Sequence, residues 1–247
     1  MKRVAWALVV LSIAIGLAPS PQVGGGALRD LVKGFQKALG SGSGLSNSEI
    51  VAGLKEALQI GTKNAVAVLS RVNGYYNDTE IRIRLPASVR SAEKILRAAG
   101  YGSTVDRFER SMNRAAERAA PRAKALLWDA VEQMSFADAR QILYGEEDAA
   151  TRYFQDKTAA RLQVLFKPVV AESMSEVGVT RTYRQLEGKL RSISFAQSVV
   201  FDLDQYVTEK AVDGLFVMLA REEAAIRKDP AARVTETLQK VFGDQTK

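Results

Sequence analysis

The chain contains neither cysteine nor histidine. Those two absences exclude disulfides, thiolate and imidazole metal sites, cysteine nucleophiles and every catalytic triad built on an imidazole base. They also remove the side chain that ordinarily titrates between pH 5 and 8. What remains for chemistry is carboxylates, lysine, tyrosine, serine and threonine, so an enzyme of this composition would work through carboxylate acid–base pairs or oxygen-ligated Mg²⁺ or Ca²⁺. No cofactor is expected. Without disulfides, stability rests on a hydrophobic core, and 247 residues at 47% hydrophobic content suffice for one large domain or two small ones.

A membrane-spanning run is also lacking. The weakly polar stretch over residues 4–18 is shorter than the roughly 20 residues a spanning helix needs. Lys2 and Arg3 precede it and Pro19, Ser20 and Pro21 follow, which is the layout of a secretory signal peptide over residues 1–20. The expected location is therefore the periplasm. Cleavage after Gly16 and Ala18 would leave Pro19 first, a poor substrate for signal peptidases, so an uncleaved anchor in the inner membrane is the alternative. With no cysteine, there is no lipid-modified N-terminus.

The formal net charge of +7 falls by two, to +5, when Lys2 and Arg3 leave with the signal. Basic and acidic residues alternate at helical spacing, as in Arg107, Glu109, Arg110, Arg114, Glu117 and Arg118, which reads as solvated helix faces. That pattern argues against nucleic acid as a partner. It leaves peripheral contact with anionic lipid as the electrostatic option for an exported basic protein.

Helical periodicity dominates, predicting an all-α, irregular multi-helix bundle. Residues 21–44 hold a short amphipathic helix (Leu28, Leu31, Val32, Phe35, Leu39) and a Gly/Ser linker at 40–44. Residues 45–243 read as a single helical domain, with a tail at 244–247. Ser46 and Glu49 have capping-box spacing for a helix running toward Gly74, with a bend at Gly61. Alternating apolar residues and arginines over 81–85 predict an extended connector, or a minor hairpin with Tyr75 and Tyr76. Helices are predicted over 86–99, over 104–134 with a break at Pro121, over 136–144, over 148–177 bent at Pro168, over 180–190 and over 202–228. A last helix opens at Asp229-Pro230, and Gly100 and Gly145 stand where C-terminal caps belong.

Several segments carry a resemblance. Gly53-Leu54-Lys55-Glu56-Ala57-Leu58, Asn113-Arg114-Ala115-Ala116-Glu117, residues 145–158, Asp202-Leu203-Asp204-Gln205-Tyr206-Val207, Asp213-Gly214-Leu215-Phe216 and Ile226-Arg227-Lys228-Asp229-Pro230-Ala231-Ala232-Arg233 occur in one order. Together they resemble the bacterial domain of unknown function 4197 family over residues 45–243. The resemblance implies a helical envelope protein and no particular activity. Relatives often bear lipoprotein-type signals, from which this chain departs by lacking the lipid-accepting cysteine.

Candidate contact residues divide into groups. In residues 144–158, Asp148 can cap a helix while Glu146 and Glu147 favour its positive end, whereas Thr151, Arg152, Tyr153 and Lys157 are required by no cap. Asp202 and Asp204, with Asp213 farther along, form the best paired-carboxylate candidate for a cation or an acid–base role, against a simple capping role. Asn113, Arg114 and Glu117 lie among small residues and suit either a ligand seam or a polar contact between packed helices. Glu223 and Arg227 have the spacing of a surface ion pair. Leu215, Phe216, Met218 and Leu219, with Leu162, Leu165 and Phe166, read as core positions first, and a hydrophobic groove along the wide apolar face of the 202–228 helix is the alternative.

The function expected from the sequence is an exported, non-catalytic binding module whose partner is an envelope protein or another envelope component. A carboxylate-dependent hydrolase or divalent-cation binder using Asp202, Asp204 and residues 146–148 is the alternative, and lipid binding between helices a third. The sequence assigns no oligomeric state.

Overall fold

The computed structural model describes residues 47–86, 90–176 and 202–228. The expected signal segment, the Gly/Ser stretch at 40–44, Ser46 of the expected capping box and the helices expected over 180–190 and after Asp229 all fall outside the described residues. Among those described there are helices and turns and no strand, so the chain is all-α. In chain order the helices are α1 (Asn47–Leu69), α2 (Arg90–Leu96), α3 (Gly102–Ala119), α4 (Ala123–Glu132), α5 (Phe136–Tyr144), α6 (Ala149–Glu176) and α7 (Leu203–Lys228).

The breaks have local causes. Pro121 sits in a 3₁₀ turn over Ala120–Arg122 that separates α3 from α4, where its missing N–H costs nothing. Gly100 takes a left-handed φ of 88° and ends the turn that follows α2. Gly145 closes α5 in an extended conformation; there a Cβ would stand 2.4 Å from the Gln141 carbonyl oxygen, so close approach demands the glycine. α5 opens on a capping box absent from the sequence reading: Ser135 Oγ accepts from the Asp138 N–H at 3.1 Å, and Asp138 accepts from the Ser135 N–H at 2.9 Å.

α6 and α7 pack along each other at the centre, with α3 against both and α1 against α7 and α4. Seven of the nine buried residues of α6 recur every fourth position: Ala150, Phe154, Thr158, Leu162, Phe166, Val170 and Met174, with Thr151 and Ser173 beside the line. Four residues overshoot one turn by about 40°, so the buried line winds roughly 240° around the helix in six steps. Different neighbours therefore cover its two ends. The helix continues through Pro168.

Two glycines set how closely α7 is approached. α1 is uninterrupted at Gly61, where a Cβ would lie 3.4 Å from Glu222 Cβ; the residue serves helix contact, and the expected bend is replaced by that role. At Gly214 a Cβ would lie 2.6 Å from the Tyr75 ring.

The connector after α1 contains turns over residues 70–81 and runs extended over 82–86 without strand pairing, so the hairpin alternative gives way to the connector. Ile81, Ile83 and Leu85 are buried. A period of two in the sequence thus reports one face laid on helices.

Candidate functional site

Asn113 is fully buried on α3 and turns its amide to the connector: Oδ1 accepts from Ile83 N–H at 2.9 Å, and Nδ2 donates to the Ile83 carbonyl at 2.8 Å and to the Glu109 carbonyl at 2.8 Å. The side chain stands in for a neighbouring strand. One turn on, Glu117 accepts from Tyr75 N–H at 3.3 Å and from Arg114 at 2.6 Å. Tyr75 is buried, donates its hydroxyl to the Ala211 carbonyl at 2.7 Å, and has its pKa raised by burial and then by Glu117. Tyr206 donates to the Arg84 carbonyl, and Arg221 holds Asp78 and Glu80. That pairing keeps the Asp78 carboxyl below its usual range. Asn113, Arg114 and Glu117 are brought together, but onto the connector and not onto a cavity. The expectation of solvated faces fails here, since Glu109 and Glu117 are 9% and 3% exposed.

Thr151 and Arg227 converge on a carboxylate that the sequence reading placed on the surface. Glu223 of α7 accepts from Ala150 N–H (3.0 Å), Thr151 N–H (2.9 Å), the Thr151 hydroxyl (2.8 Å) and Arg227 Nε and Nη2 (3.0 and 2.8 Å). Arg227 also donates to the Ile142 carbonyl at the end of α5. With side chains 6% and 15% exposed, Glu223 and Arg227 form a buried ion pair and not the expected surface one. The α6 N-terminus is capped from another helix. Asp148, the expected cap, instead pairs with Arg152 at 2.9 Å.

The other side of this turn opens on a polar cleft of about 460 Å³ between α5 and α6. Arg152, Tyr153 and Lys157 line it with Asp138, Gln141, Glu146 and Asp156. Tyr153 donates to the Ala130 carbonyl at 2.8 Å, and Lys157 lies 5.9 Å from its ring. Burial, then the Asp138 charge, raises the Tyr153 pKa, while the Ser135 cap lowers that of Asp138. Cations and carboxylates are mixed, so the cleft has no single electrostatic preference.

The aspartates of α7 do not gather. Asp202 caps the helix by accepting from Gln205 N–H at 2.9 Å and stands 3.7 Å from Lys167. The pKa of Asp204 is raised by burial and then by Asp202, whereas Asp213 pairs with Lys210 at 2.8 Å. Glu147 pairs with Lys228 at the far end of α7. The 26 residues of that helix put about 39 Å between the two acidic groups, so they cannot share one cation or one scissile bond. Among the described residues no three carboxylates cluster as a metal site would require.

An apolar groove of about 850 Å³ lies between α4 and α6. Pro121, Ala125 and Leu126 form one wall, Ala160, Val164, Leu165 and Pro168 the other, with Arg122, Asp129 and Arg161 alongside. Val164 is 77% exposed. Leu215, Phe216, Met218 and Leu219 are buried, as their core reading expects, so among the described residues they line no groove along α7.

A family model described as "Protein of unknown function (DUF4197)" matches residues 44–243. The chain belongs to this family. No curated protein and no solved structure matches it. Within the DUF4197 region, sequence reasoning found Arg152, Tyr153 and Lys157, which do share a cleft, but missed the groove and the central part played by Glu223. Leu162 and Phe166 are buried as expected, but Leu165, expected in the core with them, is 37% exposed, because it and Val164 fall outside the every-fourth-residue line that α6 buries.

Proposed function

We propose that this DUF4197 protein is an exported, non-catalytic binding module of the bacterial cell envelope that takes an amphipathic helix of a partner protein into the α4–α6 groove. The observation that carries the reading is the groove, with Val164 exposed at its edge. An open apolar groove flanked by charged residues suits an interaction site, and burying its surface stabilises a complex by about 25 cal/mol per Å². An open trough between two helices suits a third helix better than a single acyl chain, which needs enclosure. Arg122 and Arg161 have no ion pair among the described residues and suit acidic side chains beside the partner's apolar stripe. Export is supported by Lys2, Arg3, the apolar residues 4–18 and the Pro-Ser-Pro that follows. Support for a non-catalytic role comes from Asn113, Glu117, Thr151, Glu223 and Arg227, all of which are occupied with backbone groups or with one another.

A photo-cross-linker at position 164 of the full chain, expressed in a bacterium, tests this. The expected result is one protein adduct in the periplasmic fraction, lost when Arg122→Glu and Arg161→Glu are combined. Adducts of lipid mass, or a yield no higher than from exposed Gln155, would refute a helix-binding groove; retention in the cytoplasm would refute export.

A further inference from the structure

In the sequence α3 alternates acids and bases; in the fold its two glutamates separate from its arginines, while Asp106, one turn before Arg110, stays at the surface paired with Arg97 at 2.8 Å. Glu109 and Glu117 turn inward against the connector, whereas Arg107 and Arg110 stay exposed and Arg114 is half-buried beside Glu117. Residues 107, 110 and 114 follow one another at steps of three and four, along one face of the helix. The connector adds to the same region. Ile83 and Leu85 point inward, so Arg82 and Arg84 share the outward side. Tyr76 joins the two elements, with the Arg82 guanidinium 4.3 Å and that of Arg110 5.2 Å from its ring centre. Arg82 is further fixed by donating to the Tyr76 carbonyl, and Arg107 donates to the Thr104 hydroxyl at 3.0 Å. None of Arg82, Arg84, Arg107 and Arg110 forms an ion pair among the described residues. Glu109 feels the Arg82 charge, but from beneath the surface. The connector that carries two of these arginines is held by Asn113, Glu117 and Tyr206, so the array is preorganised.

We infer that this face, with Arg82 and Arg110 on Tyr76 at its centre, binds the phosphate groups of an anionic lipid surface. Arginine donates in a planar fork that matches phosphate oxygens, and the indifference of a guanidinium to pH keeps the face cationic. A row along one helix face beside an extended segment meets a layer of headgroups rather than one enclosed anion. Export, proposed above on separate grounds, would place such a layer within reach and nucleic acid out of it. The proposal is independent of the α4–α6 groove.

Co-sedimentation of the full chain with neutral phosphatidylcholine vesicles, and with vesicles also containing phosphatidylglycerol, is the test. The difference between the two lipids cancels what the apolar residues 4–18 contribute. The anionic preference should fall about fivefold for each arginine removed, and so more than tenfold in Arg82→Gln/Arg110→Gln. It should also weaken with added salt. The pair Lys63→Gln/Arg140→Gln, which removes the same charge elsewhere, should keep the preference; equal loss in both pairs would reduce it to net charge and overturn the site. Saturable binding of inorganic phosphate that abolishes vesicle binding would point to a single free anion and overturn the leaflet assignment. Tighter binding to a single-stranded oligonucleotide than to anionic vesicles would do the same. Thermal melting that stays within a few degrees of the parent shows that the arginine pair acts on binding and not on folding.

Discussion

Asn113 and Glu109 occupy neighbouring turns of α3 and answer the same requirement, that the connector's backbone be satisfied inside the protein. Asn113→Leu keeps the volume but leaves Ile83 N–H and carbonyl without partners, at about 1–3 kcal/mol for each group. Urea denaturation should show the loss, and hydrogen exchange should quicken first at Ile83. Glu109 behaves differently because its carboxyl is held above the usual glutamate range, by burial first and then by Glu93. An acid whose folded pKa is raised stays protonated in the native state after the unfolded chain has ionised. Stability therefore falls as pH climbs from the ordinary value of 4.5 to the raised one, and the penalty stays constant above it. Glu109→Gln should remove that fall, so its stability relative to the parent should improve between about pH 4 and about pH 7 in urea titrations. A difference independent of pH would show that Glu109 titrates normally.

The helices were legible because their ends are marked locally. Pro121, Gly145 and Asp202 break or cap the chain by their own covalent and hydrogen-bonding properties, and α4, α5 and α6, the described helices between them, match the expected ranges. The cap of α6 was not legible, since its acceptor, Glu223, lies on a helix some 70 residues later. Glu223→Ala strips the cap and leaves Arg227 buried without its carboxylate, a loss of about 3–5 kcal/mol. Arg227→Met should cost distinctly less, because Glu223 retains three donors from α6. Guanidinium midpoints rank the two, and the reverse order would show that Arg227 organises the corner. Between elements, Gly214→Ala pushes a methyl into the Tyr75 ring and should cost about 1–3 kcal/mol, read as a lower melting temperature.

Over the whole described fold, the nominated polar residues serve separate tasks at separate places. Asn113 holds the connector near the Tyr206 end of α7, and Glu223 holds α6 near the other. They share no partner. Asn113→Leu and Glu223→Ala should therefore add to within about 0.5 kcal/mol in a double variant, unfolding in one transition with an unchanged denaturant slope. Strong non-additivity would reveal coupling through α7.

The helical class, the punctuation between helices, the lack of thiol and imidazole chemistry and the membership implied by the ordered motifs all follow from the order of residues. Each of these depends on the residue concerned and on neighbours within a turn or two. Which way the charges face depends instead on packing between distant segments. An alternation of Glu and Arg along α3 looks neutral in one dimension, but burial admits a carboxylate whose bonds are met and leaves long arginines at the surface. The same sorting hid Glu223, exposed Val164 and turned a balanced sequence into a basic face.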